Sequence, residues 1–158
     1  MKKLAAVEDA RAIMTEGTQW GVWKWLIEKK RVRAIADVAR AALDDLEMKV
    51  KLTWSDELKI AYNQLVSEHG DAKRTRRKAK DATPAASGKA DPKALAAVTQ
   101  VKAADDAAFN AHEDAEDTFA EAEKKMSTSM AREGARKALE AYDLHEAAIR
   151  KAEALARK

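Results

Sequence analysis

The chain has 158 residues, of which 36 are Ala and only 26 are Ile, Leu, Val or Phe. Charged residues make up 36% of the sequence, Gly and Pro are scarce, and there is no Cys. This composition argues against a collagen-like chain, a disulfide scaffold and a β-sheet protein, and it favours long helices. The net charge of +3 is too small for a typical disordered chain, so we expect an all-α protein.

The sequence has no signal for membrane insertion or secretion. Nowhere do 18 apolar residues run together, and the apolar run near the N-terminus ends at Glu8, which is too early for a secretory signal. The absence of Cys fits a reducing compartment. We therefore predict a cytoplasmic protein with no transmembrane segment.

Residues 1–82 are predicted to form the first unit, an N-terminal helical hairpin with a short leading helix. Apolar residues at helical spacing predict that the leading helix covers residues 2–15 and that a long helix begins near Trp20 and ends near Val50. The segment Thr53–Glu57 supplies two possible N-caps and early acidic residues, so a new helix should begin there.

Residues 83–91 are predicted to be a linker, because this segment contains Pro84 and small polar residues without an apolar face. Asp91 should cap the next helix, with Pro92 in its first position.

Residues 92–158 are predicted to form an Ala-rich C-terminal hairpin. Its first helix should cover roughly residues 92–126, and the hydroxyl residues Ser127, Thr128 and Ser129 should form the turn. A single continuous helix is the alternative. The apolar spacing defines one seam on each helix. The first seam is Val98, Val101, Asp105, Ala108, His112, Ala115, Phe119, Ala122 and Met126, and the second is Ala131, Ala135, Ala138, Tyr142, His145, Ile149, Ala152 and Ala156.

Two hairpins of similar length predict a four-helix up-and-down bundle, with residues 2–17 as the extra short helix. The chain is expected to be one compact domain overall. Its many Ala residues bury little apolar area, so the helices should pack closely around a few large side chains.

Trp20, Trp23 and Trp25 form the most unusual segment, because three tryptophans precede a basic run. On a helix, Trp20 and Trp23 share a face, whereas Trp25 points well away from Trp23. They are expected to cover the core or to form a protein-binding or dimer surface, and a membrane-interface position is the remaining alternative.

The basic segment between residues 73 and 80 is the candidate for polyanion or nucleic-acid binding, since clustered cations neutralise phosphates. It has no aromatic or amide side chain that would read or stack a base. A solvated helix end is the alternative interpretation. The basic residues are Lys73, Arg74, Arg76, Arg77, Lys78 and Lys80.

His112 and His145 lie on the two seams of the C-terminal hairpin. If the turn centres on Thr128, the two imidazoles face each other, and Phe119 faces Ala138. With Glu116 nearby they are the candidate ligands of a divalent metal. Neither His follows a Glu at the spacing of a di-iron centre, so a polar layer that fixes the register is the expected role and no metal or other cofactor is predicted.

No catalytic motif is present: there is no Cys nucleophile, no nucleophile elbow and no phosphate-binding glycine loop. We therefore expect a non-catalytic helical protein that acts through its surfaces as a binding, scaffold or assembly component, with a protein partner or a second copy of itself. Polyanion binding is the second hypothesis and a metal-binding bundle is the third.

Overall fold

The computed structural model describes residues 2–15, 24, 28, 30, 45–69 and 89–157, and these residues form helices and turns without a strand. A long antiparallel hairpin packs against shorter helices, which confirms the all-α prediction for this part of the chain. The helices are α1 (Lys2–Thr15), α2 (described over residues 45–53), α3 (Asp56–His69), α4 (Pro92–Lys125) and α5 (Thr128–Ala156), and α4 and α5 form the hairpin.

Helix α4 begins as the sequence predicts. The Asp91 carboxylate accepts hydrogen bonds from the backbone N–H groups of Lys93 and Ala94, both at 3.1 Å, and Pro92 occupies the first turn. These bonds satisfy two donors that a helix start leaves without a partner. At the other end, Lys124 and Lys125 place positive charge in the last turn, where the helix dipole is negative.

The hairpin turn lies slightly earlier than the predicted centre at Thr128. Met126 adopts the left-handed conformation (φ 47°, ψ 42°) that ends α4, and the Ser127 hydroxyl accepts a hydrogen bond from the Met130 N–H to cap α5. Thr128 is already the first residue of α5. Because the chain reverses at Met126 and Ser127, the pairing between the helices shifts by about one helical turn.

The first seam is confirmed by burial. Every position predicted from Val98 to Ala122 is buried, and only Met126 is exposed, since it lies in the turn. The second seam is confirmed in part: Ile149 and Ala156 are half-buried but pack against the core, whereas Tyr142 is half-buried and belongs to neither core cluster. The buried residues of α5 are Ala131, Gly134, Ala135, Ala138, Ala141, His145, Ala148 and Ala152.

Close packing of Phe119 on α5 explains both the rotated seam and the shifted register. A Cβ placed on Gly134 would lie 2.9 Å from two atoms of the Phe119 ring, so the ring rests on the glycine backbone. The prediction had placed Ala138 opposite Phe119. A hydrogen bond of 3.1 Å between Lys137 and Thr118 fits the same register. The smallest side chains of α5 therefore face α4, and larger ones move to the edge of the interface.

In the described part of the chain, the hydrophobic core consists of two clusters at opposite ends of the hairpin. The cluster near the turn is Ala-rich, and it combines Phe119 with Ala10 of α1. The Arg132 guanidinium donates a hydrogen bond of 3.1 Å to the Met14 carbonyl and so ties the end of α1 to α5. The cluster at the open end combines residues of α2 and α3 with the start of α4 and the end of α5.

Trp54 anchors the cluster at the open end. It lies in the short turn between α2 and α3, and its indole Nε1–H donates a hydrogen bond of 2.9 Å to the Ala152 carbonyl. Its ring meets the ring of Tyr62 edge to face, with centroids 5.7 Å apart. The predicted start of a helix after Thr53 is thus confirmed, and Trp54 connects this turn to the far end of α5.

An ion pair between α2 and α5 gives a prediction for acid pH. The Lys49 ammonium lies 2.6 Å from the Glu153 carboxylate, and this hydrogen bond lowers the pKa of Glu153 below its ordinary value of 4.5. Because the pKa of Glu153 is lower in the folded protein than in the unfolded chain, the ion pair stabilises the fold at pH values above the ordinary pKa. This stabilisation is lost as the pH falls through the pKa that Glu153 has in the folded protein. Lys49→Met should therefore raise the pKa of Glu153 in an NMR pH titration. The matched control is Lys125→Met, which breaks the exposed pair with Glu121; an unchanged Glu153 midpoint in Lys49→Met would contradict the prediction.

Candidate functional site

The middle of the hairpin is polar, in contrast to its two apolar ends. Between the two clusters, α4 buries Lys102, Asp105 and His112, and α5 buries His145, which is 1% exposed. Buried polar groups are costly unless they are bonded, so their concentration here separates this part of the core from the rest. We call these four residues the polar segment.

Asp105 is held by a residue of another helix. Its carboxylate accepts a hydrogen bond of 2.9 Å from the Tyr62 hydroxyl of α3, and both side chains are buried. This bond joins the polar segment to the aromatic pair of the open end. The sequence places an acid at a seam position, which is the signal for a buried polar partner, but it does not identify Tyr62 as that partner.

Lys102 is buried with its ammonium group directed to a carboxylate on its own helix. It donates a hydrogen bond to Asp106, whose side chain is 43% exposed. The aliphatic part of the lysine thus contributes to the core while the charge reaches a half-exposed acid.

His112 and Glu116, two of the predicted metal candidates, lie together on one face of α4. The His112 Nε2 atom is 3.4 Å from a Glu116 carboxylate oxygen. Glu113 completes the group, since donor atoms of the three residues lie within 4.8 Å of one another. The third candidate, His145, is not a member of this group. The contact between Gly134 and Phe119 differs from the predicted register, and the pairing of His145 with His112 stays a prediction.

A second candidate surface is the outer face of α2. Met48 and Leu52 are 57% and 74% exposed, whereas Leu46 and Val50 of the same helix are buried. Residues four apart share a helix face, and positions 48 and 50 are about 200° apart. The described part of α2 therefore has two apolar stripes on opposite faces, one packed in the core and one open to solvent.

A groove between α1 and α5 has a volume of about 490 Å³. Its apolar wall is formed by Met14, Leu139 and Leu144, and charged side chains of α5 form its rim. Among these, Arg136 bonds both Glu133 and Glu140, and its hydrogen bond lowers the pKa of Glu133. Two of the charged residues that line the groove, Arg136 and Glu140, are therefore paired with each other along α5.

Two sets of predicted site residues lie outside the described part of the chain. They are the tryptophans Trp20, Trp23 and Trp25 and the basic residues between 73 and 80, and their roles stay predictions. Retention on heparin that survives neutralising the basic residues would contradict the polyanion hypothesis.

Comparisons of the chain with protein-family models, with curated proteins and with solved structures find no significant match. Among the described residues, no helix is both long enough and apolar enough to cross a bilayer.

Proposed function

We propose that the protein is a non-catalytic helical binding protein and that it assembles with a second copy of itself through the outer face of α2. The observation that carries the proposal is the exposure of Met48 and Leu52, one turn apart on a helix whose opposite face is already buried. Adjacent exposed apolar side chains form a patch, and contiguous apolar patches on a protein surface mark interaction sites when they are large enough.

The charges on α2 favour a second copy of the same chain as the partner. Asp45 lies at the start of its described part, and Lys51 lies towards its end. When the two-fold axis is perpendicular to α2, the helices of the two copies run antiparallel, so the end with Asp45 in each copy lies beside the end with Lys51 in the other. The same surface is thus complementary to itself.

We also propose that α2 and α3 form a second helical hairpin. A turn of two residues, Trp54 and Ser55, separates α2 from α3, and both helices contribute to the apolar cluster at the open end. This supports a second hairpin and, with α4 and α5, a four-helix up-and-down bundle to which α1 is added.

Light scattering over a range of concentrations tests the contact surface. Met48→Gln with Leu52→Gln should raise the dissociation constant of the assembly by at least about tenfold, because burying one such side chain contributes about 1.5–3 kcal/mol. Met126→Gln is the matched control, since Met126 is 50% exposed but lies at the hairpin turn. Association that is equally weakened by the control, or unchanged in the α2 variant, would contradict the proposal.

A further inference from the structure

We infer that His112, Glu113 and Glu116 form a binding site for a divalent transition-metal ion of the zinc class. The site is independent of the proposed assembly surface, because it lies on α4 rather than on α2. Its three ligands would be one imidazole nitrogen and two carboxylate oxygens, all from one helix, and their donor atoms lie within 4.8 Å of one another.

The distance between two of the donors is compatible with metal ligation. The His112 Nε2 atom and the Glu116 oxygen form a contact of 3.4 Å. Two ligands at about 2.0–2.2 Å from a tetrahedral zinc ion lie roughly 3.4 Å from each other. A metal ion can therefore be held between them without moving the helix.

Burial also suits a metal site. The His112 side chain is 4% exposed and so has a fixed position, whereas the Glu116 side chain is 29% exposed. Glu113 is half-buried as well. A fixed imidazole at the base and two carboxylates at the surface provide an entry path, and three protein ligands leave one position for water.

The charge of the surrounding helix favours a cation. Between Asp105 and Glu123 the sequence has eight acidic residues and neither Lys nor Arg. The ammonium groups of Lys102 and Lys137 are paired with other carboxylates, Lys102 with Asp106 and Lys137 with Asp114 at 2.8 Å. Because the group includes an imidazole, it should select zinc or cobalt over magnesium, which prefers oxygen ligands.

Calorimetric titration of the full-length protein with Zn²⁺ after chelator treatment tests the inference, and Co²⁺ absorption gives the coordination geometry. We expect one ion per chain, a tetrahedral Co²⁺ spectrum, and at least ~10-fold weaker Zn²⁺ binding in Glu116→Gln and in Glu113→Gln. These two carboxylates are partly exposed, so their variants should fold even if His112→Asn does not.

Asp117→Asn is the matched control, since it removes one negative charge from an exposed position of the same helix. It should leave Zn²⁺ binding within about twofold of the unaltered protein. The inference is overturned if the unaltered protein does not bind Zn²⁺, if Glu116→Gln binds it as tightly, or if Mg²⁺ competes equally with Zn²⁺.

Discussion

Replacing Tyr62 by Phe is expected to lower the free energy of unfolding by about 2–3 kcal/mol, measured by chemical denaturation. The phenol donates a 2.9 Å hydrogen bond to the Asp105 carboxylate, and both groups are buried. The substitution keeps the ring and its contact with Trp54 but removes a hydrogen bond from a desolvated acid. A buried acceptor that loses a donor costs more than the bond itself contributes, and the cost is higher when the acceptor is charged.

The loss of unfolding free energy caused by Tyr62→Phe should be smaller when the Asp105 carboxylate is removed as well. In the background Asp105→Leu, Tyr62→Phe should cost less than about 1 kcal/mol, because no carboxylate remains to be solvated. Tyr142→Phe is the control, as Tyr142 is only half-buried on α5. If Tyr62→Phe costs no more than Tyr142→Phe, the hydrogen bond does not hold the polar segment in place.

Gly134→Ala is expected to destabilise the protein by about 1–2 kcal/mol, although Ala is normally better than Gly inside a helix by about 1 kcal/mol. The added Cβ would lie 2.9 Å from the Phe119 ring, which is closer than packed carbon atoms approach. The ring is buried in the Ala-rich cluster, so it can move away only by displacing its neighbours. The unfavourable contact should therefore exceed the gain in helix propensity.

The sign of this effect should reverse when the ring is absent. In the background Phe119→Ala, Gly134→Ala should stabilise the protein by about 1 kcal/mol, since only the helix propensity remains. The two free-energy changes can be compared by thermal or chemical unfolding. A stabilising Gly134→Ala in the presence of Phe119 would show that the two helices do not approach as closely as the structure has them.

The hairpin was largely predictable, because a 3-4 spacing of apolar residues and the caps at Asp91 and Ser127 are local signals. The residues that form the buried face of α5 were less predictable from the sequence. Gly134, Ala141 and Ala148 are buried, and Gly134 is small enough for the Phe119 ring to rest on it, whereas hydrophobic periodicity favours the larger Tyr142 and Ile149. The register then follows from the residue that adopts the left-handed turn conformation, and Met126 carries no sequence signal for it.

In the candidate sites, too, contacts within one helix could be predicted from the sequence, whereas contacts between helices could not. His112 and Glu116 are four apart on a predicted helix, so their proximity follows from the sequence. Contacts between helices depend on the register, and a shift of one turn changes them. The sequence offers Lys49 and Lys137 an acidic residue four positions earlier on their own helices. In the structure they instead contact Glu153 and Asp114 on other helices, which the sequence does not predict. The exposed stripe of α2 also needs the structure, because periodicity does not tell which of two apolar faces is packed.

Sedimentation equilibrium of the unaltered full-length protein most directly tests the proposal that the chain assembles through α2. The chain has a mass of 17.4 kDa, and we expect the apparent mass to approach twice this value as the concentration rises. Glutamine at positions 48 and 52 should return the mass to that of a single chain over the same range. A mass of 17.4 kDa for the unaltered protein at every concentration would contradict the proposal.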